Sequence, residues 1–173
     1  MGVTSELANV QKQIATGKRL NRMSEEPWSV AQIHQLREKI TEQTRYQSSA
    51  NLSLGILSQG ENALSQVMNN LSRVREVAIQ AANDTYGDDD LDVIIEEVTN
   101  LKERVKDLAN AEYDGRYVFS GTAYDLPPFD AAFAYQGTTD LFSIDVSSTA
   151  QVEVGFDGSD VFQGSTDVFA AFD

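Results

Sequence analysis

The chain has no cysteine, so disulfides and thiolate metal sites are excluded. It has one histidine, His34. A lone imidazole on a helical stretch builds neither a His-based metal cluster nor a catalytic triad. No apolar run is long enough to span a bilayer. Met1 to Val10 lacks a basic segment followed by an apolar one, so no Sec-type signal peptide is legible there. The net charge is −14. Nucleic-acid phosphates and anionic membrane surfaces are both bound through Lys and Arg, so neither is an expected partner.

Basic residues are also missing from one whole segment. All 13 Lys and Arg stand at or before Arg116, and the nine acidic residues from Tyr117 onward have no basic neighbour. Of the 15 aromatic residues, 11 lie after Gly115. This shift predicts a domain boundary, with a helical domain over 1–115 and a β domain over 116–167.

The first part has helical periodicity. Leu7, Val10 and Ile14 recur at steps of three and four, and Gly17 ends the pattern as a C-terminal glycine does. Lys18 to Pro27 reads as a loop, with Ser24 placed to cap the next helix and Pro27 tolerated in its first turn. From Trp28 to Asn83 no proline intervenes. Leu57, Gly60, Leu64, Val67, Leu71, Val74, Ala78 and Ala81 form a seam at steps of three and four. The acidic turn Asp84 to Asp90 breaks it, with Gly87 ending one helix and Asp88 capping the next. A second seam follows at Leu91, Ile94, Val98, Leu101, Val105 and Leu108. Two seams about a short turn predict an antiparallel helical hairpin. Ile56, Val77 and Ile79 lie off the main seam and predict an exposed apolar stripe.

The second part alternates. Phe142, Ile144 and Val146, then Val152, Val154 and Phe156, predict a β-hairpin across Ser147 to Ala150. Asp157-Gly158 reads as a turn signal. Tyr117 to Phe119 and Phe133 to Tyr135 are weaker strand candidates, and Pro127-Pro128 marks an extended connection. The fold class is α+β: an elongated helical rod, made of a short helix and a long antiparallel helix pair, with a small antiparallel β domain.

Reactive chemistry is scarce. Gly17-Lys18 lacks the first Gly and the Ser or Thr of a phosphate loop. Asp84 to Asp92 lacks the order and the terminal Glu of a calcium loop. Glu96-Glu97 follows a polar helix face. Trp28 and Tyr46 read as packing anchors. No catalytic, cofactor or metal residue is assigned, and no enzymatic activity is expected.

Five stretches in order carry a family resemblance. They are Ala15 to Pro27 (ATGKRLNRMSEEP), Asn69 to Asn83 (NNLSRVREVAIQAAN), the acidic turn Asp84 to Leu91, Tyr117 to Phe129 (YVFSGTAYDLPPF), and the pair Tyr135-Gln136-Gly137 and Gly158 to Phe162. Together they resemble the flagellin superfamily. The aromatic–Ser–Gly–Thr run followed by Pro-Pro-Phe is similar to the hook-associated protein 3 family rather than to flagellin.

The resemblance implies a structural subunit at the hook–filament junction of the bacterial flagellum. It implies an extracellular location reached by flagellar type III export without a cleaved signal peptide. The implied partners are hook-associated protein 1, flagellin, copies of the chain itself and an export chaperone, with no nucleic acid, membrane or small-molecule substrate. The implied subunit-interface residues are Arg73, Val77 and Gln80 on one helix face, with Arg19 and Asn21 in the loop. Family members also begin with an apolar helical segment and return through a long C-terminal helix. The resemblance therefore implies a core lacking both terminal segments, with 168–173 as the start of the returning helix. Two rival readings are flagellin itself, and a cytosolic coiled-coil adaptor or chaperone, which leaves the acidic β part unexplained.

Overall fold

The structure, a computed structural model, describes residues 3–17, 27–82 and 88–172. It forms two compact units, Met1–Arg45 and Tyr46–Asp173. The loop expected to hold the Ser24 cap and the acidic turn around Gly87 lie outside the described residues.

The first unit contains α1 (Val3–Thr16) and the beginning of α2 (Pro27–Ala81). Gly17 closes α1 with φ +64°, the left-handed conformation in which glycine escapes a Cβ clash. Leu7, Val10 and Ile14 are exposed on α1, and Trp28 is 74% exposed on α2. Trp28 is therefore not a packing anchor within this unit, whereas Tyr46 in the second unit is buried.

The second unit holds the rest of α2 and α3 (Asp88–Ala109). It then holds the strand pair β1 (Glu112–Tyr113) and β2 (Arg116–Tyr117), the pair β3 (Phe142–Asp145) and β4 (Gln151–Val154), and α4 (Gly158–Gln163). A 3₁₀ turn at Phe169–Phe172 completes it. The order matches the α+β reading of long helices with small antiparallel sheets.

On α2, Tyr46, Ser53, Gly60, Val67 and Val74 are buried at seven-residue intervals. The companion buried positions are Ala63 and Val77, while Leu57 and Ala78 are exposed and Leu64 and Leu71 half-buried. The seam thus shares one row with the sequence reading but takes its second row from the other side. Periodicity accepts a step of three on either side of a row. The small Ala63 and polar Asn70 hid the true companion row. Opposite it, Leu101 and Val105 of α3 join Val67 and Val74 in one cluster, against which Leu64, Leu71 and Val98 pack.

Both strand pairs are antiparallel. In β3–β4, Phe142 faces Val154 and Ile144 faces Val152, so the expected hairpin forms, with Val146 and Phe156 outside its strands. The β1–β2 turn is Asp114-Gly115, with φ +52° and +72°, the primed-turn geometry of a two-residue hairpin. The other Asp-Gly pair is not a hairpin turn. Asp157 Oδ1 accepts the N–H groups of Ser159 (2.8 Å) and Asp160 (3.4 Å) and so caps α4. Of the weaker candidates, Tyr117 to Phe119 is a strand only at its first residue. Tyr135 forms a single bridge to Phe129.

The core crosses Gly115. Ala63, Val67, Val105 and Ala109 belong to the same buried cluster as Val118, Phe119, Phe129, Phe162, Phe169 and Phe172. The compact units accordingly do not divide where composition changes. The change in composition marks where the aromatic half of a shared core begins. Its rings interlock edge to face, as at Phe119–Phe162 (centroids 5.2 Å) and Phe129–Phe169 (5.1 Å). Such pairs add about 0.5–1.5 kcal/mol each beyond their area. Two glycines admit this layer to α2: a Cβ on Gly55 would meet the Tyr113 ring at 2.1 Å, and one on Gly60 the Phe156 ring at 2.2 Å. Residues 169–172 adopt a 3₁₀ turn capped by Asp167, burying Phe169 and Phe172 in the cluster.

Candidate subunit interface

Asn70 and Arg73 of α2 lie beside α3, and Glu76 and Gln80 are exposed farther along α2. Arg73 is the hub. Its Nε donates to Glu97 Oε1 on α3 at 2.8 Å and its Nη1 to Glu76 Oε2 at 3.3 Å. The hydrogen bond to Glu97 is the main reason the guanidinium is raised above its ordinary value. The side chain remains 45% exposed, so the pair orients the two helices more than it stabilises them.

Beside it runs an open groove of about 480 Å³ between α2 and α3, lined by Asn70, Arg73, Val93, Glu96, Asn100 and Arg104 among others. It offers amides, both signs of charge and one exposed apolar side chain, the mixture found at the polar rim of a protein interface.

The interface residues expected from sequence meet different fates. Arg73 and Gln80 are exposed. Val77 is 0% exposed, so it is not presented to a neighbour and belongs to the buried row of α2. Arg19 and Asn21 lie outside the described residues. The expected apolar stripe is likewise revised, because Ile56 packs against the core and only Ile79 of the three is exposed. Leu54 and Met68 on α2, and Val93 and Ile95 on α3, are exposed apolar residues that the sequence reading did not single out, and Leu57, read as part of the seam, is exposed as well. Their signal was an apolar side chain standing off the buried row.

Among the described residues no group of three His, Cys, Asp or Glu comes together to hold a metal ion. The perturbed groups elsewhere serve the fold. Asp130 is held below the usual carboxylate range by the N–H groups of Ala134 and Ala132. Burial pushes the Tyr135 phenol up to about 12 while its hydroxyl donates to Phe119 O and Thr138 O.

Residues 3–124 match the bacterial flagellin N-terminal helical region. The flagellar hook-associated protein 3 of Salmonella typhimurium is 28% identical over 159 residues, covering 89% of this chain and 50% of that protein. The Salmonella derby flagellin is 30% identical over 145 residues, covering 83% of this chain and 29% of its own length. The chain thus spans about half the length of the hook-associated relative. Among solved structures, FlgL of Xanthomonas campestris superposes with a TM-score of 0.68 at 31% identity, covering 72% of this chain and 42% of that one. The flagellar junction protein FlgL of Legionella pneumophila gives 0.60 at 27%, covering 79% and 42%.

Proposed function

From the premise that the chain belongs to the bacterial flagellin family through its N-terminal helical region, we propose that it is a structural subunit at the hook–filament junction of a flagellum. It works by side-to-side packing of helices and has no catalytic role. The observation that carries this reading is the Tyr117–Phe129 segment, since whole-chain likeness does not choose: it covers 89% of the chain for the hook-associated relative and 83% for the Salmonella derby flagellin, and both pass residue 124. That segment resembles hook-associated proteins, and Phe119 and Phe129 are fixed in the core. The solved FlgL structures support the same choice.

In this role the chain lies outside the cell and is exported through the flagellar type III route without a cleaved signal peptide. Its partners are hook-associated protein 1 on one side, flagellin on the other, copies of itself around the junction, and an export chaperone beforehand. The exposed Arg73–Gln80 face and the adjoining groove are the surface assigned to neighbouring subunits. Arg73 already has two carboxylate partners within the chain, so a neighbour meets a pre-oriented guanidinium rather than a mobile one.

Immunogold labelling of intact flagella, with an antibody raised against this chain, tests the reading. Label confined to the hook-proximal end of the filament is the expected result. Label along the whole filament would identify a flagellin instead.

A further inference from the structure

Phe133 has a φ of +60°. A bulky side chain seldom enters this left-handed region. Such strain persists only where the surroundings hold the residue in place, and it gathers at switches and clamps. The contacts that hold Phe133 lie inside the unit Tyr46–Asp173, and none of them is a surface left open.

Two kinds of contact oppose the strain. The ring is gripped from other elements. Lys102 Nζ and Lys106 Nζ of α3 stand 5.1 and 5.0 Å from its centroid, within cation–π range. The Phe169 ring lies 5.1 Å away, and Gln163 Nε2 of α4 donates to Phe133 O at 3.0 Å. The backbone is gripped by one carboxylate. Asp130 Oδ1 accepts the N–H groups of Ala132 (2.8 Å) and Ala134 (3.0 Å), on either side of Phe133, and Oδ2 accepts Gln136 Nε2 at 3.0 Å. Hydrogen bonds to an ionised acceptor are the stronger kind, and a neutral carboxyl gives up part of them.

We propose that residues 130–136 form a lid that the charge on Asp130 holds shut. When that charge is neutralised, the strained turn relaxes, Phe133 lifts off the Lys102–Lys106 pair, and the edge of Phe169 is uncovered. The α2–α3 seam stays intact, because local opening of this kind stops short of global unfolding. The charged groups packed around the lid are Lys102, Lys106 and Glu103 of α3, with Glu103 paired to Lys106. Asp167, before the 3₁₀ turn, is turned onto that turn's own N–H groups. Asp130 is held below the usual carboxylate range by the N–H groups of Ala134 and Ala132. The lid is therefore shut at neutral pH and opens as pH falls through that lowered value.

Nuclear magnetic resonance of this chain, labelled with ¹³C on lysine and valine, tests it. While the lid is shut, the Phe133 ring current should shift the ε-methylene protons of Lys102 and Lys106 upfield. Phe133→Ala should abolish both shifts, which identifies their source. Asp130→Asn should bring both to ordinary lysine values at neutral pH, with the Val67 and Val105 methyl signals of the seam unchanged. Acid should do the same to the parent chain. Glu103→Gln removes the ion-pair partner of Lys106 and should leave both shifts in place. Upfield lysine signals that survive in Asp130→Asn overturn the proposal. So does their loss in Glu103→Gln, or their loss in step with the valine signals, which is unfolding of the whole unit rather than a lid.

Discussion

Asn110 and Phe129 are joined by two hydrogen bonds that copy a strand pairing. Asn110 Nδ2 donates to Phe129 O at 2.9 Å, and Asn110 Oδ1 accepts the Phe129 N–H at 2.9 Å. One amide at the end of α3 thereby satisfies both backbone groups of a residue that is only 2% exposed. Asn110→Ala leaves that donor and acceptor unpaired inside the core. A loss of about 2–4 kcal/mol is expected, since each orphaned buried group costs about 1–3 kcal/mol. Urea unfolding should show a lower midpoint with an unchanged slope. An unchanged midpoint would mean that water replaces the amide.

The position of the α2 seam separates two neighbouring residues. Val77 is buried and Ala78 is exposed. Val77→Asp puts an unpaired carboxylate in the core and should cost about 3 kcal/mol or more. Ala78→Asp should cost under about 1 kcal/mol, mostly from helix propensity. Equal losses in thermal melts would return the seam to the row through Ala78.

The sequence made much of this fold legible. Steps of three and four announced the helices, and alternation in Phe142–Val146 and Val152–Phe156 announced a hairpin that the structure forms over Phe142–Asp145 and Gln151–Val154. Three features were harder to read. The two Asp-Gly pairs are alike in sequence, yet Asp114 enters a turn with positive φ while Asp157 turns its carboxylate onto the N–H groups of α4. The residues after each pair decide between the two: Arg116-Tyr117 extends a strand, and Ser159-Asp160-Val161-Phe162 begins a helix. The domain boundary misled because charge and aromatic content changed at Gly115 while burial did not. In the interface, Arg73 and Gln80 were legible as polar residues on a helix, but Val77 was not. A valine beside two polar residues can face either way until the partner helix is placed.

Gly60 makes a close-approach test. Gly→Ala inside a helix normally stabilises by about 1 kcal/mol. Here the added methyl would fall 2.2 Å from Phe156 Cε2. Gly60→Ala should therefore destabilise, by about 1–3 kcal/mol as in other overpacked cores. Phe156→Leu in the same chain should recover part of that loss, a non-additivity that a double-mutant cycle in urea would read. Simple additivity would show that the ring moves aside without cost.

Two groups give opposite pH signatures. The Tyr135 phenol is pushed up to about 12, chiefly by burial and then by the Asp157 charge. Its folded value exceeds the unfolded value of about 10. Its contribution is thus whole below pH 10 and lost as pH rises toward 12. Tyr135→Phe should be less stable at neutral pH, by about 1 kcal/mol for its lost hydrogen bonds. The gap to the parent should close across that alkaline window. Asp130 is shifted the other way, held down by backbone N–H donors. Its contribution is present above the ordinary carboxylate range and lost as pH falls through its folded value. Asp130→Ala should therefore converge on the parent in acid. Urea midpoints at stepped pH, taken as differences from the parent, measure both, and parallel curves would count against either assignment.

The ion pairs of Arg73 inside the chain can be separated from the role proposed for it between chains. Arg73→Glu would place three carboxylates together, with Glu76 and Glu97 the other two. The site is exposed, so the stability cost should stay near about 1 kcal/mol. In a motile strain, however, Arg73→Glu with Gln80→Ala should impair junction assembly and swimming if this face meets a neighbour. The decisive variant is Arg73→Glu with Glu97→Arg, which rebuilds the α2–α3 ion pair in reverse. If Arg73 acts only by holding α3 against α2, the reversal restores motility. If Arg73 meets a neighbouring subunit, the reversal recovers the melting temperature but not assembly, because the partner still encounters a carboxylate where it needs a guanidinium. Recovery of both would confine Arg73 to the hairpin and move the interface elsewhere on the chain.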